Sequence, residues 1–581
     1  MPSRPPPPPR ARRLGAHLPL VWAIVLALVV LGPALGPGYV LSYDLVWVPH
    51  LSLRGDFLGF GTALPRAVPS DAVAAVLDNL VPAMLLEKIA LLAPLVAAGA
   101  GTSRLVGGSL AARLTAVTLA VWNPFTVERL GIGHWTVLVG YGVLPWLVLA
   151  GRRLRHTGRL PAAAWVLVPL GALSASAGLV SAAVLLVSGW QPGEGQRRRN
   201  LPLLACAVAG NAPWLVAGLL HADTATGSGT AVFALHPEGS LPAPLAALGL
   251  GGIWNADVVP GSRETFLAWV STALLLALAA LGFRTWRRWQ DGEAGRLGLL
   301  WALGFVLACL TWLLPGATDW LAGHVPGGGI LRDGPRCLGL CLPVYAGLPA
   351  AGVAALADRV SATDLAARRA IAAAGALLPL LLLYDAGWGL AGSLRPADYP
   401  AAWAEVRDQV RFGDGDLLVL PFSAYRAPTW NHGHTVLDPL ARYLPTDALT
   451  ADTLVVDGTP VPGEDPRVPR AETALRLPSA AARTAALLHL GVQYVAVETD
   501  AGPLTAPSFD AATLAAAGDL RVERLQGTAV ARTTSTGARV ATGAAWAAYL
   551  LSLLGGLVVA GIGRLRAVRG EMHAGPRAHV G

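Results

Sequence analysis

The sequence predicts a mainly α-helical, polytopic membrane protein with about twelve transmembrane helices and a small extracytoplasmic α/β domain. Hydrophobic residues make up 54% of its 581 residues and charged residues only 14%, against about 25% charged residues in a typical soluble domain. Apolar runs of the roughly 20 residues that a membrane helix needs recur along the chain, and arginine clusters separate them. A surface so poor in charge cannot be solvated, so most of the chain is expected to face lipid.

The apolar runs give the membrane helices in chain order. Residues 1–17 form a basic, proline-rich tail that we predict to be cytoplasmic, and the run over 18–35 follows as the first helix rather than a cleaved signal peptide. Further helices are predicted near 79–101, 109–123, 134–150, 201–221, 264–284, 297–314, 336–357, 369–389 and 541–563.

The stretch 161–189 allows two interpretations. As one helix it would put Arg197–Arg199 outside the cell, whereas as a hairpin of two short helices that breaks near Ser174–Gly178 it leaves these arginines inside. Because positive charge collects on the cytoplasmic side of membrane proteins, the sequence favours the hairpin. This gives about twelve crossings and a multi-pass protein of the cell membrane with both termini in the cytoplasm.

The outer face then holds the long polar segments. The helical membrane domain covers residues 18–390, and residues 391–540 form an extracytoplasmic domain. In that domain the apolar runs 416–422 and 492–498 predict buried strands and 480–490 predicts a helix between them, which is typical of an α/β module. Residues 541–581 are a final membrane helix and a basic cytoplasmic tail.

The net charge of +8 does not indicate nucleic-acid binding, because the arginines lie in short clusters between apolar runs, where they set topology. All four cysteines lie in apolar segments, and Cys337 and Cys341 lack the further ligands that zinc needs. His432 and His434 near Asp438 likewise lack a third ligand, so we predict no metal site there.

The first candidate functional residue is Asp44, in the segment GYVLSYDLVWVPH just beyond the first helix. A carboxylate at the membrane boundary is costly unless it is paired or hydrated. Asp44 is a candidate general base for a sugar hydroxyl, or a ligand for a divalent cation beside a lipid phosphate. Glu87 and Lys88 lie within an apolar run, and the sequence leaves open whether they are functional or whether Lys88 reaches to the interface.

Two further segments contain candidate anion-binding residues. The first, WNPFTVERLGIGHWTVLVGYGVLPW, holds Arg129 and His134 in a compact polar turn. The second, VPGGGILRDGPR, places Arg332 and Arg336 beside a glycine-rich turn at the outer end of a predicted helix. Arginine binds phosphate through paired hydrogen bonds, and no nucleotide-binding motif is present, so a lipid-linked phosphate is the anion that such a site can reach.

The three segments quoted above, together with NAPWL at 211–215 and GGIWNADVVPG at 251–261, resemble membrane glycosyltransferases of the GT-C type. The likeness is closest to the actinobacterial cell-envelope arabinofuranosyltransferases and covers roughly the first 390 residues. The resemblance implies a GT-C-like fold, a polyprenyl-phosphate sugar as donor, a cell-envelope glycan as acceptor and an inverting reaction. It also implies that Asp44 is the acidic residue of the first outer loop that is central to catalysis.

The predicted function is therefore sugar transfer on the outer face. Asp44 is the predicted base, and the predicted substrate-binding residues are Arg129, His134, Arg332 and Arg336. The domain at 391–540 is predicted to bind the acceptor, and a divalent cation is the only cofactor that the sequence suggests. Two alternatives stay open: a non-catalytic envelope assembly protein, for which Asp44 is dispensable, and a transporter or flippase of lipid-linked sugars, which would need coupling acids within helices and an internal repeat.

Overall fold

The computed structural model describes residues 9–573 except 65, 194, 225–228, 326, 457–458 and 500–506. Within this part of the chain nine helices are long and apolar enough to cross a membrane. They are His17–Leu35, Ala83–Leu105, Trp135–Thr157, Arg197–Leu220, Leu267–Trp289, Ala294–Leu313, Gly334–Arg359, Leu365–Leu382 and Thr536–Gly563. The chain is thus a multi-pass membrane protein, as its composition predicts.

The helices of the described chain are α1 (Pro9–Leu31), α2 (Gly55–Leu58), α3 (Ser70–Asp78), α4 (Ala83–Leu105), α5 (Leu110–Val121), α6 (Pro124–Gly131), α7 (Trp135–Thr157), α8 (Ala162–Gly171), α9 (Ala175–Gly189), α10 (Arg197–Leu220), α11 (Ala243–Leu248), α12 (Leu267–Trp289), α13 (Ala294–Leu313), α14 (Pro315–His324), α15 (Leu342–Arg359), α16 (Leu365–Leu382), α17 (Gly387–Gly392, a left-handed turn), α18 (Ala401–Gln409), α19 (Leu440–Tyr443), α20 (Val468–Leu475), α21 (Ala480–His489) and α22 (Thr536–His573). The strands are β1 (Tyr39–Val40), β2 (Pro396–Ala397), β3 (Asp416–Leu420), β4 (Tyr425–Arg426), β5 (Val436–Leu437), β6 (Ala448–Leu449), β7 (Leu454–Val456), β8 (Thr459–Val461), β9 (Val492–Glu498), β10 (Ala511–Ala517) and β11 (Leu520–Leu525).

The stretch 161–189 is a hairpin of two helices, α8 and α9, and not one helix. Helix α9 runs in the same direction as α7, because Gly140 packs against Ala177 and Gly151 against Ser188. Helix α8 therefore enters the bundle and α9 returns to the same face. The predicted count of twelve crossings is not confirmed, because α5, α8 and α9 have 12, 10 and 15 residues and are shorter than a full span of about 20.

Polar contacts join the helix ends that carry the arginine clusters. Arg152 donates to the Gln290 side chain at 2.5 Å, and Gln290 donates to the Leu105 carbonyl at 3.2 Å. Arg155 pairs with Glu293. The ends of α4, α7 and α12 therefore lie at one face of the bundle, as the charge pattern predicts. That this face is cytoplasmic, and that both termini lie there, stays a prediction.

Beyond the bundle lies a small sheet domain, here called the outer module (residues 399–530). Its five-stranded sheet has the order β10-β11-β9-β3-β6, in which β3 is parallel to both β6 and β9. Every residue of β3 and β9 is buried, which explains their uninterrupted apolar sequences. The two predicted strands and the helix between them, α21, are present. The predicted boundaries at 391 and 540 stay predictions.

The first outer loop lies between the outer module and the helix bundle. Strand β1 pairs with β2, and the Tyr43 amide donates to the Thr435 carbonyl at 2.8 Å. Glu87 is fully buried in α4, and its carboxylate accepts from the Val40 amide at 2.9 Å and from Lys88 at 2.9 Å. The described contacts of Glu87 thus support a structural role, since it holds the loop that carries Asp44.

Candidate active site

Asp44 lies where the first outer loop crosses the turn between α6 and α7. The Asp44 amide donates to the Ile132 carbonyl at 3.1 Å. Gly133 has a φ of +82°, and a methyl group there would collide with the backbone of Leu45 and Ser42. Glycine at this position therefore permits both the backbone conformation and the close approach of the loop. The Asp44 side chain keeps 40% of its surface exposed.

Both oxygens of the Asp44 carboxylate have a partner from a distant part of the chain. Tyr425, on β4 of the outer module, donates its hydroxyl to Oδ1 at 2.5 Å, and His134 places Nε2 3.3 Å from Oδ2. Burial opposes ionisation of Asp44, but these two partners and the nearby charge of Arg336 outweigh it and lower the pKa to about 2. Asp44 is therefore an anion throughout the neutral range.

His134 lies between two arginines and is neutral. Its Nδ1 is 3.1 Å from Arg129 Nη1, and its Nε2 is 3.1 Å from Arg336 Nη2. Since a guanidinium only donates, Nδ1 accepts from Arg129 when the ring proton is on Nε2, and Nε2 accepts from Arg336 when that proton is on Nδ1. Burial and the Arg336 charge lower the pKa of His134 to about 4. With its proton on Nε2, the neutral ring donates to Asp44 without bringing a second charge.

Asp333 joins the two arginines of this network. It accepts from Arg129 at 3.3 and 3.4 Å and from Arg336 Nε at 2.7 Å. Burial disfavours its charge, but the two arginines outweigh burial and lower the pKa of Asp333 to about 2. Arg129 is only 1% exposed, so it lies behind His134 and Asp333. The Arg336 side chain is 30% exposed and lies towards the open side of the site.

A second cluster lies on the other side of Tyr425. Glu464, on the loop between β8 and α20, accepts from Arg66 Nε at 3.1 Å and lies 3.6 Å from Arg332. The Arg332 guanidinium packs over the Phe233 ring at 4.7 Å. The charges of Arg66 and Arg336 both act on the Tyr425 hydroxyl, so the two clusters meet at this side chain.

The segment GGIWNADVVPG lies in another outer loop and contacts the residue next to Asp44. Tyr43, next to Asp44, donates its hydroxyl to Asp257 at 2.8 Å, and Asn255 holds the Asp257 turn by accepting from its amide at 3.0 Å. Each outer segment quoted above for its family likeness, apart from NAPWL, therefore contributes to one site.

Contacts join four of the predicted site residues, Asp44, Arg129, His134 and Arg336. The fifth, Arg332, lies in the neighbouring cluster around Glu464. The sequence analysis missed Tyr425, Arg66 and Glu464. No local signal marks them, because each is a common residue type in an irregular segment. The one available hint is the position of Tyr425 after the carboxyl end of a buried parallel strand, where ligand sites of α/β sheets form.

A divalent cation does not fit the groups around Asp44. Such a cation needs several oxygen ligands, whereas Asp44 faces a tyrosine hydroxyl that donates, a histidine ring nitrogen and a guanidinium. In the part of the chain that the structure describes, no group of three histidine, cysteine or acidic residues has metal-binding geometry.

The fold is similar to that of a membrane protein of known structure. The structure is similar to a cryo-EM structure of the arabinofuranosyltransferase AftD from Mycobacteria, with a TM-score of 0.50 and 18% identity, over 90% of this chain and 40% of that one. A mutant of AftD matches equally, with a TM-score of 0.50 and 18% identity, over 89% of this chain and 42% of that one.

The predicted resemblance to an actinobacterial arabinofuranosyltransferase is thereby confirmed for the fold, while this chain spans about two fifths of the length of AftD. No protein-family model and no curated protein sequence matches the chain.

Proposed function

We propose that this protein is a membrane glycosyltransferase that transfers a sugar from a polyprenyl-phosphate donor to a cell-envelope glycan on the outer face. The observation that carries the proposal is Asp44, an ionised and partly exposed carboxylate held beside arginines that are not fully compensated. The AftD-like fold supports the same class of activity, because AftD is an arabinofuranosyltransferase.

The charge balance of the site favours a phosphate ligand. The two clusters together contain four guanidinium groups and three carboxylates, with a neutral histidine; these are Arg66, Arg129, Arg332, Arg336, Asp44, Asp333 and Glu464. Asp333 and Glu464 are each shared between two arginines. The positive charge that remains suits the single negative charge of a sugar phosphodiester, and arginine is well suited to phosphate oxygens.

In the proposed reaction Asp44 takes the proton of the acceptor hydroxyl while the hydroxyl oxygen forms a bond to the anomeric carbon of the donor sugar. The bond from that carbon to the phosphate oxygen breaks, and the polyprenyl phosphate leaves with the electron pair. Arg336 and Arg332 stabilise its second negative charge. Attack opposite the leaving group inverts the anomeric carbon. No step passes through a metal ion.

The buried members of the network serve as positioning residues in this proposal. His134 orients Asp44 through the Nε2 proton, and Arg129 holds both the ring and Asp333. Arg129 is the one predicted phosphate ligand without an open surface, so we assign it to this supporting position. The outer module contributes Tyr425 directly to Asp44, and in this proposal it binds the acceptor.

One observation favours the non-catalytic alternative. Both Asp44 oxygens already accept from protein groups, and one of these groups, Tyr425, belongs to the outer module. Asp44 would then serve only to fasten the module to the helix bundle.

The Asp44→Asn variant separates the two possibilities. Loss of a general base costs about 10²- to 10⁴-fold in rate, so transfer from a radiolabelled prenyl-phosphoryl sugar should fall by that factor while the protein stays folded. Asp408→Asn, an exposed position on α18 of the outer module, is the matched control and should keep full activity. Full transfer by Asp44→Asn would refute the catalytic assignment.

A further inference from the structure

The outer module places a carboxylate on two arginines of the membrane domain. The Glu464 side chain is only 7% exposed, and its two oxygens reach Arg66 at 3.1 Å and Arg332 at 3.6 Å. These arginines come from two different outer loops, before α3 and after α14. One anion therefore bridges two cations that the chain folds together beside Tyr425 and Asp44.

Arg332 is poorly compensated by this arrangement. Its side chain is 16% exposed, and among the described residues none forms a hydrogen bond with its guanidinium. The 3.6 Å separation from Glu464 exceeds a normal hydrogen bond. Burial, followed by the charge of Arg66, lowers the pKa of Arg332 to about 10. The Arg332 guanidinium thus has free donors for a better-fitting anion.

The loop that carries Glu464 is fastened independently of the Glu464 carboxylate. The amides of Glu464 and Asp465 both donate to the Asp452 carboxylate, at 2.6 and 2.8 Å, and Thr62 donates to Asp465 at 2.8 Å. The Asp452 bonds fix the loop within the outer module, the Thr62 bond fixes it to the first outer loop, and none of them uses the Glu464 carboxylate. The position of the loop therefore does not depend on the pairing of that carboxylate with the arginines.

A carboxylate and a phosphate ester present the same pair of oxygens to arginine, and phosphate adds further acceptors. Arg66 keeps 46% of its side chain exposed, so the cluster is open on that side. Arg332 is next to Asp333 in the chain, and Asp333 pairs with Arg336 of the Asp44 cluster at 2.7 Å. An anion bound between Arg66 and Arg332 would therefore lie near the base, as transfer requires.

We propose that Arg66 and Arg332 form the subsite for the donor phosphate, and that Glu464 occupies this subsite as a competing anion until the donor displaces it. This inference rests on the proposed function and deepens it, because it adds Arg66 to the donor site and makes the outer module a competitor for donor binding.

Binding of farnesyl phosphate to the full-length protein in detergent tests the proposal. Glu464→Gln removes the competitor and should tighten binding at least fivefold. Arg66→Gln and Arg332→Gln should each weaken it about tenfold, and Arg332→Lys, which keeps the charge, should retain part of the affinity if the Gln variant does not fold. Glu405→Gln, an exposed site on α18, is the control and should bind like the wild type.

Weaker binding by Glu464→Gln would overturn the inference, because Glu464 would then position the arginines for the phosphate and would not compete with it. Equal binding of inorganic phosphate and farnesyl phosphate would overturn the assignment to a lipid-linked donor. The proposed function is tested separately, since Asp44→Asn should bind farnesyl phosphate like the wild type and lose only transfer. Arginine-dependent binding together with full transfer by Asp44→Asn would leave the subsite standing and refute the base.

Discussion

Removing the charge of Asp333 should destabilise the protein strongly. Asp333 is 6% exposed and neutralises two arginines, of which Arg129 is 1% exposed. In Asp333→Asn the shape is kept, but Arg129 loses its carboxylate partner. Removing one member of a buried ion pair costs about 3–5 kcal/mol. Since the Arg129 contacts of 3.3 and 3.4 Å are long, we expect a loss near the lower end, about 3 kcal/mol.

The measurement is thermal unfolding of the purified protein in detergent, followed by a thiol-reactive dye. Asp358→Asn is the matched control, because its side chain is 74% exposed and its pair with Arg368 at 3.2 Å contributes at most about 1 kcal/mol. Asp333→Asn should unfold several degrees below both the wild type and this control. Equal unfolding temperatures for the two variants would refute the view that Asp333 compensates a buried charge.

The pH dependence provides a second check on the same residue. The pKa of Asp333 is about 2 in the folded protein, against 3.8 ordinarily. Its stabilising contribution is therefore complete above pH 3.8 and is lost as the pH falls towards 2. The difference between wild type and Asp333→Asn should consequently stay constant from pH 5 to 8 and shrink only in strong acid.

Three further predictions address the neighbours of Asp44 and the topology. Tyr425→Phe removes a hydrogen bond worth about 1.5–3 kcal/mol, which should raise the pKa of Asp44 from about 2 to roughly 3–4; a carboxyl ¹³C titration that is unchanged would contradict this. His134 has its pKa lowered to about 4 from 6.5, so stability should fall as the pH drops from 6.5 to 4, and a His134→Gln variant that shows the same dependence would exclude His134 as the cause. A membrane-impermeant thiol reagent should label Asp414→Cys but not Thr157→Cys in intact cells, and both after permeabilisation; the reverse pattern in intact cells would invert the orientation.

The sequence by itself was sufficient for the features that depend on local composition. The apolar runs identify the membrane class and every long membrane helix of the described chain, because burial in lipid requires about 20 consecutive apolar residues. The positive-inside rule predicts the hairpin at 161–189, which the structure contains as α8 and α9. Runs 416–422 and 492–498 predict β3 and β9, because a strand buried on both faces must be apolar throughout.

The place of Asp44 in the first outer loop was also readable from the sequence, because a helix end and a polar segment follow each other directly there. The number of membrane crossings could not be predicted from the sequence. Helices α5, α8 and α9 are short, and whether a short apolar helix counts as a span depends on its neighbours in the bundle and not on its own composition.

Only the tertiary structure decided which side chains meet Asp44. Tyr425 is 381 positions away along the chain, and Arg66 and Glu464 are 398 positions apart. The structure also buries Arg129 and leaves Arg336 partly exposed, a distinction that two similar arginine-rich turns do not reveal. The hydrophobic pattern of a single helix or strand follows from its backbone periodicity and its burial. Contacts between distant segments depend instead on how the outer module packs against the bundle. No spacing in the chain encodes that packing directly.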